Sequence, residues 1–409
     1  MGGNAVCWIN TVCYIVCIQN FPSNPRVAIG LSTSYLGLSA MVYTVLADTM
    51  FNPLPHEKAK VYLLLNAVVP MVITLMTIPV VRQIKSKNQT QPDGGFILVF
   101  TIAIASGICA VFGSIGSISN GPSSRSLMLS LGCLLVALLL VPLATKFREF
   151  FERGWCGSGE WTVYHLNVDE VVIRDREVRV DIKVEGGEIA EGGREMSVDK
   201  EVGASLMVRK VEFWLYFFGY MFGATVGLVF LNNLGQIVES RGLSGTSSMV
   251  SLASSFGFFG RCMISLLDYL LSKNIVSRPA LIAILLAPMA GSFSMLLNPS
   301  NFFLYISIVI LGACTGAITS IAVSATSELF GSKFFGINHN IIVSNIPVGS
   351  FIFGYFAALL YQTEETGNAR CMGAKCYEKT FIAWGILCSI STLLFVVLYI
   401  RTRRNNVVN

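Results

Sequence analysis

Residues 311–355 have the sequence LGACTGAITSIAVSATSELFGSKFFGINHNIIVSNIPVGSFIFGY. Two long apolar segments meet here at a short polar turn, and both segments carry small residues and amides. About 20 apolar residues in a helix span roughly 30 Å of hydrocarbon, so each segment is long enough to cross a bilayer. The stretch therefore predicts a helical hairpin of the kind found in membrane transporters.

The composition of the whole chain requires a membrane. Its 409 residues are 53% hydrophobic and 13% charged, and the mean hydropathy is +0.64, so there is too little polar surface to cover a soluble particle. We predict an all-α membrane protein with about 11 transmembrane helices. The apolar runs lie at approximately 3–20, 27–50, 61–81, 95–118, 126–145, 211–239, 246–271, 279–298, 301–329, 334–361 and 380–400.

Basic residues set the expected orientation. With the C-terminus in the cytoplasm, the inner segments hold Arg26, Arg82, Arg278, Arg401 and the basic residues of 146–210, which satisfies the positive-inside rule. This asymmetry accounts for the net charge of +5, so we expect membrane lipid as a partner and no nucleic acid. An integral, multi-pass location follows, and plasma membrane and endomembranes fit equally well.

The chain divides at residues 146–210. Charge density rises there, and glycine pairs such as Gly186-Gly187 interrupt the segment, which is typical of a cytoplasmic loop. Two interpretations stay open, a solvated linker and a docking site for a cytoplasmic protein partner.

Cysteine usage singles out one pair. Most of the 11 cysteines lie in apolar runs, where they act as small hydrophobic residues. Cys371 and Cys376 lie in a loop predicted to be non-cytoplasmic, where an oxidising compartment permits a disulfide, with two free thiols as the alternative.

HExxH, GxSxG and phosphate-binding glycine motifs are missing from the sequence, as is metal-ligand spacing. We therefore expect no enzyme activity, no cofactor and no metal.

Amides inside apolar runs are candidate functional residues, because a polar side chain in lipid must find a partner. Asn232, Asn233 and Gln236 lie in the outer third of 211–239, where they either contact solute, act as an outer gate, or bond neighbouring helices. Asn338, His339 and Asn340 open the run 334–361, and Asn345 lies deeper. For this second group the alternatives are helix packing, or a cavity role for Asn345 with a gating role for His339.

Three motifs carry a resemblance to a known family. FFGRCMISLLDYLLSK at 258–273, IAVSATSELFG at 321–331 and FFGINHNIIVSNIPVGS at 334–350 closely resemble the plant nodulin-like major facilitators, also called nuclear-fusion-defective-4-like proteins. The resemblance covers nearly the whole chain.

The resemblance implies a major facilitator fold, whose two halves rock about a central site. The family plan is six helices, two extra helices, a cytoplasmic loop and six more helices, so the first three helices of that plan are unmatched here. The implied organisation is a three-helix remnant of the N-terminal half at 1–82, the extra pair at 95–145, the loop at 146–210, the six-helix half at 211–401 and a tail at 402–409.

A charged motif gives the clearest mechanistic expectation. Arg261 and Asp268 are seven residues apart, so they share one helix face, and Lys273 follows. In major facilitators a similar cluster latches the cytoplasmic helix ends, so the resemblance favours a latch over a static salt bridge. Glu328 is a further candidate member, paired with Arg261 or Lys333, or else a solvated helix end.

The resemblance thus implies gradient-driven, alternating-access transport of an unidentified small solute. The alternative is a transport-incompetent membrane scaffold or sensor that binds a partner through the loop 146–210.

Overall fold

The structure is a computed structural model, and it describes residues 2–21, 24–51, 57–77, 93–116, 126–138, 140–141, 202–243, 245–271, 277–364 and 371–408. Two of the predicted features fall outside these residues: Lys273, and the loop 146–210 up to residue 201. All elements within the described residues are helices and helical turns.

The N-terminal helices include one broken span. Helix α1 covers Gly2–Asn20, and α2 covers Pro25–Ser34, with proline at the first helical position, where its missing N–H costs nothing. A 3-10 turn at Tyr35–Leu38 leads into α3, so Pro25–Met50 forms one interrupted apolar span. The next helices are α3 (Ser39–Met50), α4 (Lys58–Thr77), α5 (Asp93–Gly116) and α6 (Ser126–Leu138).

The C-terminal helices also include a broken span. A π-helical segment at Met221–Thr225 joins α8 to α9, so Val211–Ser240 is a single apolar span with a widened turn. The elements are α7 (Ala204–Arg209), α8 (Val211–Tyr220), α9 (Val226–Ser240), α10 (Thr246–Leu270), α11 (Arg278–Met295), α12 (Asn301–Phe330), α13 (Phe335–Val343), α14 (Asn345–Thr363) and α15 (Glu378–Val408).

Nine helical spans among the described residues are long and apolar enough to cross a membrane. Two shorter apolar helices, Ile9–Asn20 and Ser126–Leu138, occupy the other two positions where the sequence predicts spans. The chain is thus an all-α membrane protein of the major facilitator type, and the large apolar side chains exposed on α4 and α15 are those that lipid would cover.

Helix α10 links two apolar cores. The larger core is formed by the helices from α7 to α15 and includes Trp384 and Phe293, both fully buried. A second core lies among α2, α3, α5 and α6, and α10 contributes Phe258 and Cys262 to it. Because α10 belongs to both cores, a shift of α2 relative to the C-terminal helices must change its surroundings.

Glycines allow α10 and α12 to pack backbone to backbone. A Cβ atom at Gly316 would overlap the Gly257 carbonyl, and one at Gly260 would overlap the Ala313 carbonyl. Small residues at such interfaces let two helices approach closely in a membrane. Gly312 and Gly316, four residues apart on α12, therefore lie at the α10–α12 contact.

Candidate functional site

Four charged side chains meet at one end of the helix bundle, the predicted cytoplasmic face. Arg26 lies at the start of α2, Asp268 at the end of α10, Arg278 at the start of α11 and Glu328 near the end of α12. Arg278 Nη2 is 2.5 Å from Asp268 Oδ1, and Arg278 Nε is 3.8 Å from Glu328 Oε2. Arg26 Nη2 is 3.7 Å from Glu328 Oε2. We call these four residues the charged cluster.

The contacts of the charged cluster differ in strength. The side chains of Arg278 and Asp268 are only 5% and 14% exposed, so their short ion pair is shielded from water. Arg26 and Glu328 are 31% and 35% exposed, and an ion pair this long and this open contributes about 0–1 kcal/mol. Within the charged cluster, the weak contact is Arg26–Glu328, which joins an N-terminal helix to a C-terminal one.

The ion pair of Asp268 differs from the one that the sequence predicts. Asp268 pairs with Arg278 and not with Arg261, although Arg261 and Asp268 lie on the same helix. Seven residues place Arg261 about 10 Å deeper along the α10 axis, whereas Arg278 begins the next helix. Among the described residues, Arg261 has no carboxylate within ion-pairing distance.

Glu328 also has partners other than those expected. It approaches Arg26 and Arg278, whereas the sequence suggested Arg261 or Lys333. The Lys333 ammonium lies 5.7 Å from the Phe334 ring centroid in a cation–π contact.

Three consecutive polar residues on α13 bond to three different neighbours. Asn338 Nδ2 donates to the Val202 carbonyl at 2.7 Å, just ahead of α7. His339 Nδ1 lies 3.2 Å from the Thr326 hydroxyl of α12, and the imidazole stacks on Phe335. Asn340 Oδ1 accepts a hydrogen bond from the Thr11 hydroxyl of α1 at 3.0 Å. These side chains join helices in this state, as the packing interpretation expects.

Asn345 is fully buried and faces the irregular part of the span α8–α9. Its Nδ2 donates to the Phe217 carbonyl at 3.3 Å, and its Oδ1 accepts from the Thr225 hydroxyl at 3.4 Å. A widened helical turn leaves backbone groups in need of partners. Asn345 therefore stabilises the π-helical segment from the neighbouring helix.

A polar cleft of about 800 Å³ opens at the other end of the bundle. Asn233 and Gln236 line it together with Glu239, Tyr361 and Gln362. Gln236 Oε1 accepts a hydrogen bond from the Tyr377 hydroxyl at 3.1 Å, whereas Asn233 Nδ2 donates to the Val229 carbonyl of its own helix. Asn232, which the sequence grouped with them, is exposed and lies outside the cleft lining.

A disulfide joins Cys371 to Cys376 beside this cleft, and Cys371 contributes to the cleft lining. The Tyr361 hydroxyl donates to the Cys371 carbonyl, and the Gly373 N–H donates to the Ser240 carbonyl. The loop is thereby fixed to the ends of α9 and α14. Within the described residues, no group of three or more His, Cys, Asp or Glu side chains is placed to bind a metal.

Sequence reasoning missed Arg26 and Arg278 as cluster members. In the sequence, these two arginines indicated only the orientation of the chain in the membrane. Each lies next to a proline in the first turn of a helix, Pro25 and Pro279. A basic residue beside a helix-starting proline at the membrane edge is a signal that would have suggested them.

Comparison with known proteins agrees with this architecture. Residues 1–147 match the family described as Nodulin-like, and residues 195–407 match the family described as NFD4, C-terminal domain. Protein NUCLEAR FUSION DEFECTIVE 4 of Arabidopsis thaliana is 34% identical over 423 residues, which cover 98% of this chain and 71% of that relative.

The fold and these matches define a multi-pass integral membrane protein of the transporter type. The chain belongs to the nodulin-like, NFD4-related family.

Proposed function

We propose that the chain is a secondary transporter that moves a small solute by alternating access, and that the charged cluster is its cytoplasmic gate. The observation that carries this proposal is the ion pair from Arg26 to Glu328, which connects α2 to α12. Ion pairs that exchange one partner for water are suited to the opening of an interface between rigid helix groups.

The difference in burial supports the Arg26–Glu328 contact as the one that opens. Arg278 holds Asp268 in a short, buried pair and also approaches Glu328, so these three residues stay together on the C-terminal helices. The contact of Arg26 with Glu328 is longer than the Arg278–Asp268 pair and more exposed than it, and Arg26 belongs to α2. Opening therefore breaks Arg26 from Glu328 and leaves the rest of the charged cluster intact.

The interface above the gate is made of small side chains. Ser265 of α10 packs directly against Gly30 of α2, and Ser320 of α12 lies beside them. Ser265 is fully buried, so water reaches it only when α2 separates from α10. Accessibility of this position therefore reports gate opening without knowledge of the solute.

The test is cysteine labelling of Ser265→Cys in the full chain, with the other free cysteines replaced by alanine or serine. An impermeant maleimide is applied to each side of sealed vesicles. We expect Arg26→Gln to increase labelling several-fold, and only from the predicted cytoplasmic side. The matched control is Glu212→Gln, which breaks the pair of Arg401 Nε with Glu212 Oε1 at 2.7 Å between α8 and α15. It should leave the rate unchanged. Equal labelling of Arg26→Gln and its parent would refute the gate.

A second function is supported by one observation. Val202 and Met207, in the last ten residues of the predicted loop 146–210, are buried, and the Val202 N–H donates to the Phe330 carbonyl at 3.1 Å. The end of the loop is thus attached to the turn that follows Glu328, as a scaffold or sensor that signals through this loop would need. If no gate variant changes Ser265→Cys labelling, this second function gains support.

A further inference from the structure

Arg261 is the deepest charged residue in the described spans. It lies nine residues from Leu270 and fifteen from Thr246, the two ends of α10, which places it about 13 Å from the nearer end. All other charged residues of the described candidate spans lie within five residues of a span end. A cation at this depth is costly unless something compensates its charge.

The surroundings of Arg261 come from three helices. Tyr14 on α1 and Tyr220 on α8 lie near enough to influence its charge. Gly37 faces it from the 3-10 turn, where a Cβ atom would come within 2.9 Å of Arg261 Nη1. The guanidinium therefore sits where the N-terminal helices meet the C-terminal helices.

Within the described residues, no carboxylate lies within ion-pairing distance of Arg261. Within the described part of the chain, neither the Arg261 guanidinium nor the Tyr220 hydroxyl has a hydrogen-bond partner, and Arg261 is only half-buried. Arg278, by comparison, has two carboxylates. The two tyrosines near Arg261 carry phenol O–H groups, each of which can donate one hydrogen bond to an anion.

The backbone around Arg261 is irregular on two sides. The 3-10 turn Tyr35–Leu38 contains Gly37, and the π-helical segment Met221–Thr225 begins directly after Tyr220. Irregular backbone at membrane depth is tolerated where it is buried in protein or lines a cavity, and π segments occur often at functional sites. Two such interruptions flank a guanidinium that has no carboxylate partner in the described part of the chain.

We propose that Arg261 binds the anionic group of the solute, with the Tyr220 hydroxyl as a second donor, and that the solute class is a small monocarboxylate. A guanidinium matches a carboxylate with two parallel hydrogen bonds. One uncompensated positive charge balances one negative charge, which favours a monocarboxylate over a phosphate of about −1.5 to −2. This inference rests on the proposed transport function, because it assigns the substrate class of that transporter.

The test measures ligand-dependent thermal stability of the purified full chain in lipid nanodiscs. The probes are acetate, propionate and benzoate, each compared with its uncharged amide. We expect at least one carboxylate to raise the unfolding temperature while its amide does not. Arg261→Gln should weaken that binding at least tenfold, and Arg401→Gln, which removes an arginine at the membrane edge, should leave it unchanged.

Stability of the unliganded protein separates a binding role from a structural one. Removing an uncompensated cation from the membrane should leave Arg261→Gln at least as stable as the parent. Arg261→Lys keeps the charge but loses the forked donor, so it should fold and bind carboxylates more weakly than the parent.

Four results would overturn the inference: no response of the parent to any carboxylate, equal responses to acid and amide, unchanged binding in Arg261→Gln, or an Arg261→Gln chain that no longer folds. The Ser265→Cys labelling experiment uses no ligand. A negative result in the carboxylate-binding experiment therefore leaves the gate proposal intact, whereas a failure of the gate proposal would appear as unchanged labelling.

Discussion

Two arginines of the helix bundle, Arg278 at its predicted cytoplasmic end and Arg261 deeper inside, have opposite surroundings. Arg278 has Asp268 at 2.5 Å and Glu328 at 3.8 Å, and only 5% of its side chain is exposed. Arg261 lies deeper and has phenols around it instead of carboxylates. A cation with protein counter-charges holds helices together, whereas a cation without them is available to a ligand. The comparison therefore assigns closure to the charged cluster and recognition to Arg261.

The largest expected effect is the loss of Arg278. Arg278→Gln leaves the Asp268 carboxylate, only 14% exposed, without its cation, and breaking a buried pair costs about 3–5 kcal/mol. The measurement is the unfolding of the purified chain followed by temperature or denaturant. The double change Arg278→Gln with Asp268→Asn should cost less than Arg278→Gln alone. An equal or greater cost in the double variant would show that the pair is not what Arg278 contributes.

A smaller effect is expected at Gly37. In Gly37→Ala the new Cβ would meet the Phe258 backbone and Arg261 Nη1, and overpacking of this kind costs about 1–3 kcal/mol. Carboxylate binding should fall with it, while the Arg278–Asp268 pair is unaffected. The control is Gly291→Ala on α11, where a Cβ has open space, and which should stabilise the helix by about 0.5–1 kcal/mol. Unchanged binding in Gly37→Ala would separate this glycine from the Arg261 site.

The smallest effect on stability is expected at Arg26. Arg26→Gln removes a contact that is 3.7 Å long and one-third exposed, so unfolding should change by only about 0–1 kcal/mol. The same variant should nevertheless change the accessibility of Ser265→Cys. A stability loss as large as that of Arg278→Gln would mean that Arg26 is a structural partner and not the part of the gate that opens.

The sequence was sufficient to predict where the helices lie, but not which side chains pair between them. Hydropathy placed all eleven apolar helices, because burial in lipid depends on local composition. Spacing along α10 put Arg261 and Asp268 on one face, but a pairing across the α10–α11 connection depends on the start of the next helix. The π-helical segment Met221–Thr225 is contacted by Asn345, over a hundred residues away, and no local pattern predicts such a contact.

The central claim is that α2 separates from α12 at the charged cluster, and a distance measurement tests it most directly. Spin labels at Gln19→Cys and Ser332→Cys, both exposed and next to the α1–α2 and α12–α13 turns, report the distance between these two turns in nanodiscs. We predict two populations of distances, with the longer one increased by Glu328→Gln. A single narrow distance that Glu328→Gln does not change would contradict the account.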